Sequence, residues 1–489
     1  MPFQRAFAAA PLLALVLLSL AGCATNPVTG RPNLAFMSEA DEIRIGQQMH
    51  PQILQQYGAY DDPKVQAYVN EVGQRLVAKS HRSNLKYTFT VLDSDEVNAF
   101  ATPGGYIYIT RGIMAYLNSE AELAAVVGHE IGHVAARHAV RQQSQSSIAG
   151  VGAIAVGILT GSGDLANLTG EAATALVRGY GRDMELEADR LGAENITAIG
   201  FSSENMVDVV RLLKNQEMFE VDRARREGRQ PKIYHGVFAT HPDNDTRLRE
   251  VVQSAQKYAS SEESDDLAQP YLKNVEGLAV GSSRAQGVVR GTRFYHANLG
   301  FTLAFPSGWT VQNQAEKLTA LSPQRDSMIQ MTTEAPPPNT GPREFLSRLL
   351  ANAGSGQGEE LEINGLRAYS AVVRSAKTPF GQGPVRYVVL YYNNLAYVFA
   401  GASKASTSVP TADPVIVSSI KTFRRLKENE FALAEPYRIK LVKATEATRV
   451  TDLAKGSPIE KYPVESLRLY NDLYPNKEPR PGQLVKVVQ

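Results

Sequence analysis

The sequence predicts an α+β multidomain chain, with a mainly helical first part carrying a small sheet and a second part richer in strands. Three observations carry this. A strongly helical run, Ala121 to Gln142, surrounds His129-Glu130-Ile131-Gly132-His133. A Ser/Glu/Asp stretch, Ser260 to Asp266, has the composition of a solvated linker. From Phe294 onward the pattern changes to the period-two alternation of strands. A length of 489 residues suggests about three domains.

Residues 1–22 carry Arg5 and a short apolar core, Pro11 to Leu20, followed by Leu20-Ala21-Gly22-Cys23. Spanning a bilayer takes roughly 20 apolar residues, so a cleaved signal peptide is the better reading. Leu-Ala-Gly-Cys resembles a bacterial lipobox. That implies a lipidated Cys23 at the mature N-terminus, and Ala24 in place of Asp implies an outer-membrane destination facing the periplasm. Cys23 is the sole cysteine, which excludes intramolecular disulfides and Cys-ligated metal sites. Lys+Arg 51 against Asp+Glu 50 leaves no electrostatic footprint for nucleic acid.

Tyr106-Ile-Tyr-Ile-Thr110 follows the turn Pro103-Gly104-Gly105 and reads as a strand. At a sheet edge it would pair with an extended peptide. The helix after it carries the chemistry. Positions i and i+4 lie one above the other, so His129 and His133 present two imidazoles from one face at the separation one metal ion requires. Glu130 sits beside them, where a carboxylate removes a proton from an attacking water. Gly128 and Gly132 lower helix propensity, which points to close packing or function. A third ligand must come from elsewhere. His138 lies about 180° round a continuous helix from His129 and is expected to face solvent or a packing partner. The acidic stretch Arg182 to Arg190 offers two i,i+4 pairs, Glu185 with Asp189 and Asp183 with Glu187, and spacing does not choose between them. Between the two, the apolar Gly-rich run Ile148 to Thr160 reads as a core helix or a flap over the site.

Asn98-Ala-Phe-Ala-Thr-Pro-Gly-Gly-Tyr-Ile-Tyr-Ile109, Glu122-Leu-Ala-Ala-Val-Val-Gly-His-Glu-Ile-Gly-His-Val134 and Glu185-Leu-Glu-Ala-Asp189 together resemble the M48 family of zinc metallopeptidases, of the BepA and Oma1 types, over about residues 36 to 255. The resemblance implies a gluzincin-type peptidase domain with one Zn2+ per chain. It implies His129, His133 and Glu185 as metal ligands, Glu130 as general base and Asp189 as an outer partner of a ligating histidine. Gly181-Arg182 stands where many members have Ser-Arg. The turn-rich segment Ala239-Thr-His241-Pro-Asp-Asn-Asp-Thr-Arg247 reads by itself as a helix entry capped by Asp243 or Asp245. The resemblance adds a site role for His241, as a latch on the zinc or an oxyanion partner, with His235 a weaker candidate.

Beyond the linker, Phe301-Thr-Leu-Ala-Phe-Pro-Ser-Gly-Trp-Thr310 reads as a hairpin edge and Phe345 to Ala353 as a helix. Arg386 to Tyr392 and Ala396 to Gly401 form a strand pair around Asn393-Asn394, and a helix spans Pro414 to Phe423. Trp309 reads as core. The Gly300-Phe301, Phe305-Pro306 and Gly308-Trp309 pattern resembles Mog1/PsbP-like α+β sandwiches, which implies an accessory or partner-binding role. Tyr437-Arg-Ile-Lys-Leu-Val442, Val450 to Ala454, Leu467 to Leu473 and Pro481 to Val488 resemble a LysM βααβ module, which implies peptidoglycan as a partner through 434–489. Glu446-Ala447-Thr448 stands where such modules carry Gly-Asp-Thr beside the sugar groove.

The expected organisation is therefore a signal peptide at 1–22, a zinc peptidase domain at 23–270, a linker at 271–292, an α+β accessory domain at 293–426 and a LysM-like module at 434–489. The expected function is a lipid-anchored periplasmic zinc endopeptidase acting on unfolded or misassembled envelope proteins. The alternative is a chaperone-like or cell-wall-binding lipoprotein with a latent zinc site.

Overall fold

A computed structural model describes residues 23–25, 27–30, 32–34, 37–149, 180–231, 268–315, 317–350, 358–404 and 409–489. The expected signal peptide, most of the apolar run after Ile148, His235, His241 and the Ser260–Asp266 linker lie outside the described residues. The chain forms two compact units. One contains Met1–Leu54, Gly58–Leu278 and Arg438–Gln489, the other Gln55–Tyr57 and Ala279–Tyr437. Among the described residues no helix is long and apolar enough to cross a membrane.

The first unit opens with a short antiparallel pair, β1 (Cys23–Thr25) and β2 (Pro32–Leu34). Helix α1 (Glu39–Tyr57) starts where Ser38 Oγ accepts the Asp41 N–H, and α2 (Pro63–Val77) starts where Asp62 accepts the Lys64 and Val65 N–H groups ahead of a first-turn proline. A three-stranded sheet follows, made of β3 (Thr88–Leu92), β4 (Ala99–Thr102) and β5 (Tyr106–Thr110) in the order β3-β5-β4. The strand expected at Tyr106–Thr110 is therefore present, but it is central and not an edge. Thr88–Leu92, β-branched and alternating, pairs with it in parallel on one side, while Ala99–Thr102 pairs antiparallel on the other. Its near-continuous burial follows from that position.

Helix α3 (Arg111–Tyr116) leads into α4 (Glu120–Ala135), which Ser119 caps by accepting the Glu122 N–H. The helical run does not continue to Gln142. It stops at Ala135, Arg137 takes a left-handed φ of 56°, and α5 (His138–Ala149) begins anew. Tertiary ion pairs account for the break. Arg82 donates to the Val134 carbonyl at the end of α4 and pairs with Glu42, while Arg137 pairs with Glu42 and donates to the Met37 carbonyl. Helix α6 (Arg182–Ala198) lies against α4, and α7 (Glu204–Arg226) packs beside both. The α4–α6 approach needs glycine: a Cβ on Gly132 would lie 2.9 Å from the Ala188 carbonyl oxygen, and one on Gly192 3.1 Å from the His129 nitrogen. Helix α8 (Ala268–Val275) follows.

In the second unit, β6 (Ala279–Val280) precedes a four-stranded sheet and a seven-stranded sheet. The smaller holds β7 (Val288–Arg290), β8 (Arg293–His296) and β9 (Phe301–Ala304), closed by a two-residue strand at Arg424–Arg425. The larger comprises β10 (Thr310–Asn313), β11 (Lys317–Leu321), β12 (Ser327–Glu334), β13 (Gly358–Ile363), β14 (Leu366–Thr378), β15 (Gly381–Tyr392) and β16 (Leu395–Ser403), in the order β10-β11-β12-β16-β15-β14-β13. Asn393 and Asn394, both at positive φ, make the expected two-residue turn. The helix expected from Phe345 runs from Pro342 to Leu349 as α9, and that expected from Pro414 runs from Val409 to Ile420 as α10. Phe301, Tyr397, Phe399 and Phe423 centre the core, with Trp309 partly buried against it. Residues 271–292, read as a linker, instead hold the end of α8, β6 and β7, and Tyr271 is buried with its hydroxyl donating to the Met114 carbonyl.

The C-terminal segment has the order β17 (Tyr437–Lys443), α11 (Val450–Lys455), α12 (Pro463–Tyr470) and β18 (Leu484–Val488), its two strands paired antiparallel. From Arg438 it belongs to the first unit. Lys486 is buried and donates to the carbonyls of Ala115 (2.8 Å) and Leu117 (2.6 Å), and Tyr470 stacks on Tyr116 at 4.5 Å between ring centroids. Burial pushes the Lys486 ammonium down and the Glu122 carboxyl up from their ordinary ranges.

Candidate metal centre

Three side chains converge at the α4–α6 contact. His129 and His133 project one turn apart from α4, and α6 brings Glu185 over them because glycines let the two backbones approach. The His129 and His133 Nε2 atoms are 2.9 Å apart, and each lies 3.6 Å from a Glu185 carboxylate oxygen. Donors bound to one tetrahedral zinc at its usual bond lengths are about 3.3 Å apart. Two imidazoles and a carboxylate at these spacings therefore fit one such ion. All three are buried, as is Glu130, which is 1% exposed on the same helix.

The two acid pairs that spacing left open are separated by the fold. Glu185 and Asp189 face α4, with an Asp189 oxygen 2.8 Å from His129 Nδ1. Asp183 is exposed, and Glu187 turns aside to pair with His138 and Arg141. Two further residues stand at the site. His138, expected half a turn away, is fully buried with its Nδ1 2.8 Å from His133 Nδ1, because the chain reverses at Arg137. Tyr180 stacks on the His133 ring at 4.1 Å and 20°, and burial, reinforced by the charges of Glu130 and Glu185, pushes its phenol up beyond ordinary titration. Sequence gave no signal for Tyr180. For His138 the signal is its place five residues after His133, which brings the two rings together only because the helix breaks at Arg137. Beside His129 and Glu130 lies a small pocket lined by Ile113, Val126, Met206, Val209 and Leu213. No described residue brings His241 to the site, since it lies outside the described stretches.

Two histidines one turn apart with a glutamate beside them, and a third acidic side chain from a neighbouring helix, form a candidate metal site of the kind metallopeptidases use. Residues 63–255 match the model of Peptidase family M48, and the candidate metal group His129, His133 and Glu185 lies within that stretch. The chain is 29% identical over 236 residues to the beta-barrel assembly-enhancing protease of Escherichia coli K12, covering 46% of each. It is 27% identical over 237 residues to the mitochondrial metalloendopeptidase OMA1 of Schizosaccharomyces pombe, covering 46% of this chain and 64% of that one. The alignments span about half the length of the first of these relatives. A solution structure of cyanobacterial PsbP from Synechocystis is 14% identical, covers 28% of this chain and 95% of its own, and superposes with a TM-score of 0.22, at which the likeness carries nothing about the fold.

Proposed function

We propose that the chain is a zinc-dependent endopeptidase acting on unfolded or misassembled envelope proteins, lipid-anchored through Cys23 at the periplasmic side of the outer membrane. The observation that carries the catalytic part is the convergence of His129, His133 and Glu185 with Glu130 buried beside them. Anchoring and location rest on the lipobox-like Leu20-Ala-Gly-Cys23, and the substrate class on the relatives' names. Bound at the three donors, zinc would supply Lewis acidity toward a scissile carbonyl and toward water near neutral pH. An Asp189 oxygen lies 2.8 Å from His129 Nδ1, where it would take the Nδ1–H and leave the Nε2 lone pair for the ion. Glu130 takes the proton of the attacking water and passes it to the leaving amine, a transfer worth about 10²–10⁴-fold in rate. His241 would act as a latch on the zinc or an oxyanion partner, on the strength of the family resemblance of its segment.

The test compares wild type, Glu130→Gln and His241→Ala, purified without chelator, for zinc content and cleavage of denatured casein. Glu130→Gln is expected to hold about one zinc per chain and lose at least about 100-fold in rate. His241→Ala is expected to cleave faster than wild type. Wild type without zinc would overturn the reading, and a fully active Glu130→Gln would remove the general base from it.

A further inference from the structure

The two histidines of the centre are backed differently. His129 Nδ1 meets a carboxylate, Asp189, at 2.8 Å. His133 Nδ1 meets a second imidazole, His138 Nδ1, at 2.8 Å, and His138 Nε2 in turn lies 3.1 Å from Glu187 Oε2. Arg141 holds that same carboxylate oxygen at 2.6 Å. His138 is fully buried and His133 nearly so, which keeps water from competing for these bonds.

Counting protons leaves one arrangement. An ion on His133 Nε2 occupies that lone pair, so the ring proton sits on Nδ1. That N–H needs an acceptor, which requires His138 Nδ1 to be bare and the His138 proton to sit on Nε2. There it faces Glu187, whose ionised carboxylate only accepts. Every bond in the chain has one donor and one acceptor, running from His133 through His138 to Glu187. The opposite tautomer of His133 would turn a proton toward the metal position.

We propose that His138, oriented by Glu187, is a positioning residue that holds His133 in the Nδ1–H tautomer with its Nε2 lone pair directed at the metal. This rests on the zinc-peptidase reading. An outer partner of a metal-ligating histidine changes metal affinity by about 10–100-fold when removed. His138 does so without touching substrate or metal.

The experiment strips purified full-length chain of metal and measures zinc affinity by competition with a chromophoric chelator, and the visible absorption of the cobalt-substituted protein, with circular dichroism as the folding control. His138→Leu is expected to bind zinc about 10–100-fold more weakly and to alter the cobalt bands. His138→Gln, whose amide oxygen accepts the His133 Nδ1–H, is expected to recover most of the affinity. A folded His138→Leu with wild-type affinity and spectrum, or a His138→Gln as weak as His138→Leu, overturns the proposal. Should His138→Leu not fold, Glu187→Gln against Glu187→Ala decides. The glutamine oxygen still accepts from His138, so it should bind zinc more tightly than the alanine variant, and equal affinities overturn the proposal. A wild type that binds no zinc overturns the peptidase reading with it, whereas tight wild-type binding unchanged in the variants sinks this inference alone.

Discussion

Glu185 and Asp183 are two residues apart on one acidic helix and have opposite fates, one buried against two imidazoles and the other in water. Glu185→Gln is therefore expected to weaken zinc binding by more than the roughly 10–100-fold of an outer partner. Asp183→Asn should leave binding and stability within about 0.5 kcal/mol of wild type. Chelator competition and thermal melting check both, and a loss of zinc on Asp183→Asn would contradict the ligand set. At this scale the sequence was legible where chemistry is local. His129, Glu130 and His133 follow from one helical turn. Glu185 does not, because helix spacing offers two equivalent acid pairs and the choice depends on which face of α6 meets α4. The family resemblance made that choice, and no rule of spacing did. Tyr180 was invisible for the same reason, since its stacking on His133 depends on a chain path that local pattern does not encode.

The elements show where local pattern gave way to tertiary contact. Tyr106–Thr110 was readable as a strand, but its central place depended on Thr88–Leu92 arriving in parallel. The helical run Ala121–Gln142 contains no proline; what ends α4 is Arg137, just past it, and Arg82 converging on Glu42, the last two distant from it in sequence. The glycines of α4 lower its helix propensity, and the structure divides them. A Cβ on Gly132 would press within 2.9 Å of the Ala188 carbonyl oxygen and 3.2 Å of its Cα, which are backbone atoms of the helix that carries Glu185. Gly132→Ala is thus expected to cost about 1–3 kcal/mol by overpacking and to weaken zinc binding as α6 is pushed away. A Cβ on Gly128 would come no nearer than 3.4 Å, an ordinary contact. Gly128→Ala should be neutral or gain up to about 1 kcal/mol from helix propensity. Paired melting curves distinguish the two, and equal effects would mean that the α4–α6 spacing is not set at Gly132.

For the whole molecule, the C-terminal segment matters most where the sequence suggested a separate glycan-binding module. The backbone order strand, helix, helix, strand was legible from its apolar pattern and family likeness, but its attachment was not, because a lysine in a strand gives no hint of being buried. Lys486 donates to the carbonyls of Ala115 and Leu117, and Tyr271 donates to that of Met114. Together they satisfy acceptors at the end of α3, whose six residues cannot do so alone. The turn they fix leads directly into Ser119 and the capped start of the helix that carries His129 and His133. Surface pairs such as Arg226 with Glu465 add little by comparison. Removing residues 434–489 should accordingly destabilise the first unit itself, so loss of function on deletion would not isolate a cell-wall role. A single substitution is cleaner. Lys486→Met keeps the volume but leaves two buried carbonyls without that donor, at about 1–3 kcal/mol each, and strips Glu122 of the cation nearest in influence. A Glu122→Gln background removes the second cost but not the first, so the double variant should melt above Lys486→Met and below wild type, with a coupling of about 0.5–3 kcal/mol in the cycle. If Lys486→Met melts with wild type and binds zinc as wild type does, the C-terminal segment is a passenger on the first unit, and the start of the helix carrying His129 and His133 is held by α8 and its own cap.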